Sequence, residues 1–115
     1  MHKYQDLLAW QKSMNLVELV YNLTNQFPPK EQFGLTSQIN RCAISIPSNI
    51  AEGAGRNTKG EFNQFLGIAV GSLFELQTQL MISTRVNYTS DLEVNPLLEL
   101  IEEIHKMIFG LKKKL

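Results

Sequence analysis

The sequence predicts an all-α protein, an antiparallel up-down-up-down four-helix bundle that forms a single domain over residues 1–115. In four separate segments, apolar residues recur at steps of three and four, which is the spacing of one helix face. Short connections rich in proline, glycine, asparagine and serine separate these segments, and connections this short place successive helices antiparallel. The helices are expected roughly at residues 6–26, 31–54, 58–87 and 95–114.

The first helix is expected to follow five loosely docked residues, with Asp6 as its N-cap, and to end before Pro28 and Pro29. Its predicted core seam has a 3-4-3-4-3 spacing and consists of Leu7, Trp10, Met14, Val17, Tyr21 and Thr24. Further apolar residues beside this seam either widen the core face or face a second subunit, and they are Leu16, Leu19, Val20 and Leu23.

The second helix contains a proline, Pro47, which removes a backbone hydrogen bond and is expected to bend the helix. Gly53 or Gly55 is expected to end the helix in a left-handed cap. The predicted core stripe consists of Leu35, Ile39, Cys42, Ala43, Ile46 and Ile50.

The third helix is expected to begin with a capping box formed by Thr58 and Glu61. Gly67 and Gly71 lie four residues apart in its interior, which indicates close approach of another backbone, within the bundle or between subunits. The predicted core stripe consists of Phe62, Phe65, Leu66, Ala69, Leu73, Leu76 and Leu80.

The fourth helix has two plausible starts. Asn95 can cap a helix whose first residue is Pro96, or Ser90 and Glu93 can form a capping box further upstream. The predicted core stripe consists of Leu97, Ile101, Ile104, Ile108, Leu111 and Leu115.

Composition narrows the possible functions. The net charge is zero and the pI is about 6.7, so the chain as a whole has no drive toward nucleic acid or an anionic membrane, and such binding would need local clustering. The single cysteine, Cys42, is expected to be a small buried residue, which fits a reducing, cytoplasmic setting. The charged N-terminus is unlike a secretory signal, and no apolar run is expected to span a bilayer.

A polar stripe lies on the flank of the second helix, roughly 105° from its apolar stripe at 100° per residue. Its members are mostly short hydrogen-bonding side chains with two arginines: Gln38, Arg41, Ser45, Asn49, Glu52 and Arg56. One interpretation is a structural network in which an arginine pairs with Glu52 or Glu75. The other is a ligand or nucleic-acid surface that uses the arginines.

The candidate nucleic-acid or partner-binding residues are basic. Arg41, Arg56 and Lys59 lie at or near the break between the second and third helices, and a basic tail consists of Lys112, Lys113 and Lys114. The tail can bind phosphate, or it can simply satisfy the last helical carbonyls and aid solubility.

No catalytic, cofactor or metal site is predicted, and we therefore expect a protein that is not an enzyme. Glu102 and His105 form an E-x-x-H pair, but the further carboxylates and second pair of a di-iron bundle are missing, and His2 has no suitable neighbours. The glycine-rich residues 52–56 lack the strand, spacing and lysine of a phosphate-binding loop.

Three segments together resemble a known family. They are DLLAWQKSMNLVELVY at 6–21, FPPKEQFGLTSQINRCAISIPSNIAEGAGR at 27–56 and EFNQFLGIAVGSLFELQTQL at 61–80. The chain resembles the four helix bundle proteins encoded in intervening sequences of bacterial 23S ribosomal RNA genes. It is also similar to the accessory protein of diversity-generating retroelements. The resemblance implies a homopentamer, with RNA, DNA or a reverse-transcriptase-like protein as partner.

Overall fold

The computed structural model describes residues 3–115 and shows an all-α four-helix bundle, as the sequence predicts. Two 3₁₀ turns, Tyr4–Asp6 and Pro29–Glu31, precede the first and second helices. The helices are α1 (Leu8–Thr24), α2 (Leu35–Ala54), α3 (Lys59–Arg85) and α4 (Asp91–Lys113). Over the described range no strand is present.

Each helix packs against the next one in the chain, and α4 packs against α1. In every neighbouring pair, late turns of one helix lie beside early turns of the other, as in Thr24 with Asn40, Gly53 with Phe62, Gly67 with Lys112, and Leu8 with Leu111. The contacts therefore have the neighbour order that an up-down-up-down bundle requires.

The predicted core stripes of α2, α3 and α4 are confirmed. Every member is buried except for a few that are half-buried at the edges of the core: Leu35, Phe65, Leu111 and Leu115. The helix faces chosen by the three-four periodicity are thus the faces that meet in the interior.

The predicted seam of α1 is only partly correct: Thr24 is buried and Leu7, Trp10 and Val17 pack half-buried against the core, but the centre of the buried face lies one position away. Met14 and Tyr21 are 43% and 40% exposed. The buried face follows a 4-3-4-3 spacing through Ala9, Ser13, Leu16, Val20 and Leu23, so three of the residues set beside the seam are core residues. Ser13 is fully buried because its hydroxyl donates to the carbonyl of Ala9 at 2.6 Å, which satisfies its polar group inside the core.

The start of α1 also differs from the prediction. Asp6 lies in the 3₁₀ turn and does not cap α1, and Leu7 occupies the N-cap position without a side-chain bond. Tyr4 packs edge-to-face on Trp10 with ring centroids 5.2 Å apart, so the expected loose docking is wrong at this residue. Residues 1–2, including His2, lie outside the described range.

The end of α2 is set by packing between helices. Gly53 lies inside the helix, Gly55 adopts a right-handed cap with φ −87°, and the predicted left-handed cap is therefore wrong at both glycines. A Cβ at residue 53 would lie 2.7 Å from the Cβ of Phe65 and 3.0 Å from the ring of Phe62. Glycine at this position therefore lets α2 and α3 approach closely.

Side-chain caps mark the starts of α3 and α4. Thr58 accepts a hydrogen bond from the backbone N–H of Glu61, which is one half of the predicted capping box, while the carboxylate of Glu61 accepts from the Thr58 hydroxyl. The box of Ser90 and Glu93 starts α4 at Asp91, so the alternative start at residue 95 is wrong and Pro96 lies within the helix. The reciprocal bonds at Ser90 satisfy two backbone donors and favour the earlier start.

The outer face of α3 is apolar. By length and composition this helix could cross a membrane, and its mean hydropathy is 1.4. This differs from the sequence prediction that no apolar run would span a bilayer. A core helix meets the same test, but only a third of that stretch is buried. Several large apolar side chains on this face are roughly half exposed: Ile68, Phe74, Met81, Ile82 and Val86.

Gly67 and Gly71 also lie on the exposed side of α3. A Cβ at residue 71 would have no heavy atom within 4 Å, and at residue 67 the nearest would be the ammonium of Lys112, at 3.7 Å. Close approach of a second backbone within the bundle, one of the two predicted explanations, is therefore excluded. We call the surface formed by Gly67, Gly71 and these apolar side chains (Ile68, Phe74, Met81, Ile82 and Val86) the outer face of α3.

One hydrogen bond joins the two connections at the far end of the bundle. The hydroxyl of Tyr88, between α3 and α4, donates to the carboxylate of Glu31, between α1 and α2, at 2.7 Å. The ring of Tyr88 also packs on Phe27 with centroids 5.5 Å apart. The bond lowers the pKa of Glu31, helped by the backbone N–H of Leu35, and raises the pKa of Tyr88.

Tyr88→Phe is expected to lower the melting temperature at neutral pH because it removes this bond. A lowered carboxyl pKa contributes stability above the ordinary pKa of that group, and the contribution is lost as pH falls through the lowered value. The difference in Tm between the variant and the parent should therefore shrink in acid, measured by circular dichroism between pH 3 and 8. Tyr21→Phe, at an exposed tyrosine, is the control, and an equal Tm loss in both variants would contradict the assignment.

Candidate nucleic-acid interface

Charge is segregated along the bundle. One half contains the start of α1, the end of α2, the start of α3 and the end of α4, with each helix divided at its midpoint. Its eight basic side chains are Lys3, Lys12, Arg56, Lys59, Lys106, Lys112, Lys113 and Lys114. Its five acidic side chains are Asp6, Glu52, Glu61, Glu102 and Glu103, with Glu102 at the midpoint of α4. This half, the basic end, carries a net charge of +3.

The other half, the acidic end, carries the balancing charge of −3. Its basic side chains are Lys30, Arg41 and Arg85. Its acidic side chains are Glu18, Glu31, Glu75, Asp91, Glu93 and Glu99. A chain that is neutral overall is therefore strongly polar along its long axis of 43 Å, and a charged partner would be attracted to one end and repelled from the other.

Five of the six predicted basic residues lie together at the basic end. A cavity of about 160 Å³ is lined by Arg56, Lys59 and Leu115, which places the last residues of the chain beside the break between α2 and α3. The ammonium of Lys112 lies near Gly67 on α3. Residues far apart in the sequence, 56–59 and 112–114, thus form one surface.

Aromatic rings hold two of these cations. The guanidinium of Arg56 lies 4.9 Å from the ring centroid of Phe65, and the ammonium of Lys113 lies 4.6 Å from that of Phe109. Stacking of this kind orients a cation without neutralising it. Across residues 3–115 the ion pairs are Lys12 with Glu103 and Lys106 with Glu102, so the charges of this surface are not consumed by acidic neighbours.

Arg41 lies away from this cluster. It lines a trough of about 540 Å³ between α2 and α3, together with Phe33, Ser72 and Glu75 in the acidic half. Arg41 and Arg56 were grouped because both belong to the polar stripe predicted along the second helix. At 1.5 Å per residue, however, about 22 Å separates them along that stripe. The structure therefore does not bring Arg41 to the basic end.

The polar stripe of α2 makes its hydrogen bonds within its own helix. Ser45 donates to the carbonyl of Cys42 at 2.6 Å, and Asn49 donates to the carbonyl of Ser45 at 2.7 Å. Gln38, Arg41, Glu52 and Arg56 are exposed, and in the described part of the chain neither arginine is paired with Glu52 or Glu75. The expected network to neighbouring helices is therefore not formed by these pairs.

Cys42 is buried between α2 and α3. Its thiol donates to the carbonyl of Ser72, with sulfur and oxygen 3.1 Å apart, and lies 3.5 Å from the carboxylate of Glu75. Burial and the nearby negative charge of Glu75 raise the pKa of Cys42 to about 12. The reactive thiolate is therefore scarce at neutral pH, and Cys42 acts as a small core residue.

Glu102 and His105, the pair that the sequence suggested as a possible metal motif, make ordinary contacts with neighbouring side chains. His105 packs edge-to-face on Phe74 with centroids 5.0 Å apart, and its neighbour Glu102 is 3.9 Å from Lys106. Within residues 3–115, no group of three or more histidine, cysteine, aspartate or glutamate side chains is arranged to hold a metal ion. The E-x-x-H pair thus has no third ligand there.

Sequence reasoning missed Lys3, Lys12 and Lys106 as members of the basic end. Lys3 and Lys12 are isolated lysines that only the packing of α1 against α4 brings near the tail, whereas Lys106 lies on α4 itself, six residues before Lys112. Periodicity within one helix contains no signal for such a cluster. The cluster becomes visible once the four helices are placed and the charges at each end of the bundle are added.

A protein-family model described as 23S rRNA-intervening sequence protein matches residues 5–110. The match spans α1, α2 and α3 and nearly all of α4. It confirms the resemblance indicated by residues 6–21, 27–56 and 61–80. A search of curated proteins found no match.

Proposed function

The chain belongs to the 23S rRNA-intervening sequence protein family, and from that premise we propose that it is an oligomeric binding protein that attaches to nucleic acid through its basic end. The proposed activity is binding rather than catalysis, in a bacterial cytoplasm. The observation that supports it most is the segregation of charge, because a neutral chain gains local attraction for phosphate only where its cations are gathered.

The basic end has the features of a phosphate-binding surface. Five of its cations, Arg56, Lys59 and the lysines at 112–114, project from the α2–α3 junction and the end of α4, and these five are free of ion pairs among the described residues. Lysine and arginine contacts to phosphate position a protein on nucleic acid without reading sequence. We therefore propose binding that depends on charge and shape rather than on base identity.

Self-assembly would multiply this surface. Several large apolar side chains of the outer face of α3 are roughly half exposed, and an exposed apolar patch of this kind normally marks a contact surface. We propose that a second copy covers it, in the homopentamer that the family resemblance implies. Copies packed side by side in the same direction would place their basic ends on one rim, where their positive potentials add.

The test compares two triple variants that remove the same total charge. One is Lys112→Ala, Lys113→Ala and Lys114→Ala at the basic end. The control is Lys30→Ala, Arg41→Ala and Arg85→Ala, which neutralises the basic residues of the acidic end. Binding of labelled RNA and duplex DNA is measured across a salt series, with mass checked by light scattering.

We expect the basic-end variant to lose at least ten-fold in affinity, with the slope of log K against log salt smaller by about 2–3 on duplex DNA. The control variant should bind as the parent does. Equal losses in the two variants would contradict a basic-end site, because net charge alone would then explain binding. A parent protein that binds neither RNA nor DNA at low salt would overturn the proposed function.

A second candidate function is a scaffold whose partner is a protein, such as the reverse-transcriptase-like protein that the resemblance implies. The exposed apolar side chains of the outer face of α3 favour it, because such patches mark protein contacts. It would lead if the parent protein assembles and stays assembled but shows no salt-dependent binding of nucleic acid.

A further inference from the structure

Two large apolar side chains project from the acidic end. Phe33, just before α2, is 90% exposed, and Leu92, in the first turn of α4, is 85% exposed. They are the two most exposed large apolar side chains among the described residues. The bond between Tyr88 and Glu31 joins the connection that holds Phe33 to the connection that precedes α4 and Leu92, so both side chains lie beside an ordered link.

The surroundings of these side chains are acidic. Glu31 lies two residues before Phe33, and Asp91 and Glu93 flank Leu92. Hydrogen bonds from Tyr88 to Glu31, and from the backbone and side chain of Ser90 to Glu93, lower the pKa of both carboxyls. Glu31 and Glu93 therefore stay charged at neutral pH, and the end that displays Phe33 and Leu92 is negative overall, although Arg41 lines the same trough as Phe33.

The basic end has the opposite character. An apolar cavity of about 250 Å³ opens between α1 and α4, lined by Leu7, Leu8, Met107 and Leu111 with Lys114 at its edge. The cavity of about 160 Å³ beside it includes Phe62 and is edged by Arg56 and Lys59. A cavity of about 150 Å³ suffices for a benzene ring, so each can receive an apolar side chain.

We propose that the acidic end of one copy of this chain docks on the basic end of a second copy. Phe33 and Leu92 would enter the two cavities, and the net charges of −3 and +3 would face one another. The second copy is the occupant because the projecting side chains, the cavities and the complementary charges are all present in one chain. The two surfaces lie at opposite ends of the bundle, so a head-to-tail contact between them repeats along the bundle axis and builds open stacks rather than a closed ring.

This inference rests on the surface that the proposed function assigns to nucleic acid. Nucleic acid and a second copy would therefore compete for the basic end. Added RNA should disperse the stacks, and the stacks should reduce the number of basic ends available to RNA.

The decisive experiment is complementation between two variants of the full chain. Glu18→Lys, Asp91→Lys and Glu99→Lys give a protein with a net charge of +3 at both ends. Lys112→Glu, Lys113→Glu and Lys114→Glu give a protein with −3 at both ends. Circular dichroism melting first establishes that both fold.

Light scattering at increasing protein concentration should show stacks for the parent chain, none for either variant alone, and stacks again when the two variants are mixed. A mixture that stays as small as its separate components would overturn the proposal. So would variants that stack alone as the parent does, because opposite charge would then not be required.

A second pair of variants tests the apolar part of the contact. The double variant Phe33→Ser and Leu92→Ser should need an at least ten-fold higher protein concentration to form stacks. It should keep its affinity for RNA, since its basic end is unchanged. Leu19→Ser, at a side chain 40% exposed on α1, is the control and should stack normally. A parent protein that does not bind RNA would contradict only the proposed function. Normal stacking of the double variant would contradict only this inference.

Discussion

Replacing Gly53 by alanine is expected to lower the free energy of unfolding by about 2 kcal/mol, even though alanine favours helix. The added methyl group would lie 2.7 Å from the Cβ of Phe65 and 3.3 Å from the carbonyl oxygen of Phe62. These are parts of the chain that cannot rotate away, so α2 and α3 must separate. Overpacking of this kind costs about 1–3 kcal/mol, or more, and outweighs the roughly 1 kcal/mol that alanine gains over glycine in a helix.

Gly110→Ala is the matched control. Gly110 also lies inside a helix, α4, but a Cβ there has no heavy atom within 4 Å. It should raise the free energy of unfolding by up to about 1 kcal/mol, since only helix propensity changes. Urea unfolding of both variants measures the two values, and a Gly53→Ala protein as stable as Gly110→Ala would show that the helices do not need this close approach.

Gly53 also shows where sequence reasoning stops. A glycine near a helix end is typically a cap, and the sequence predicted that role for Gly53 or Gly55. The structure assigns it to packing against Phe62 and Phe65, which are on another helix. Local patterns describe how a residue relates to its own helix, whereas a close approach depends on which residues the neighbouring helix presents.

The seam of α1 was mispredicted for a similar reason. Ser13 and Ala9 look like poor core residues, and the periodic stripe of larger side chains beside them is more conspicuous. The hydroxyl of Ser13 is satisfied by its own helix, so its burial has little cost. In α3 and α4 the core face contains mostly large apolar residues, and in α2 three isoleucines at steps of seven and four mark it, so there the periodicity predicted it correctly.

The candidate site was only partly predictable. Arg56, Lys59 and the lysines at 112–114 were chosen from the sequence as separate segments, and the antiparallel packing of α4 on α3 and α1 brings them to one end. Arg41 was chosen for its line on α2 and lies in the other half of the bundle. Charged residues from different helices meet at the ends of the bundle, and such a cluster can be recognised only after the helices are placed side by side.

Gly71→Lys is expected to dissociate the proposed lateral assembly while it stabilises the single bundle. Lysine favours helix by roughly 0.7 kcal/mol or more over glycine, and it can pair with Glu75 one turn later. The same side chain adds bulk and charge to the outer face of α3, where a second backbone would have to approach closely. The two effects have opposite signs, so a drop in assembly cannot be mistaken for unfolding.

Light scattering of Gly71→Lys should give the mass of a single chain where the parent gives an oligomer, and thermal melting at low protein concentration should give a Tm no lower than that of the parent. Asn22→Lys adds the same charge at an exposed position of α1 and should leave the mass unchanged. An oligomer that survives Gly71→Lys would move the subunit contact away from the outer face of α3. That face would then have to be covered by another protein or a membrane. Its two glycines weaken the helix, its apolar side chains are half exposed, and only a contact with a partner would offset both costs.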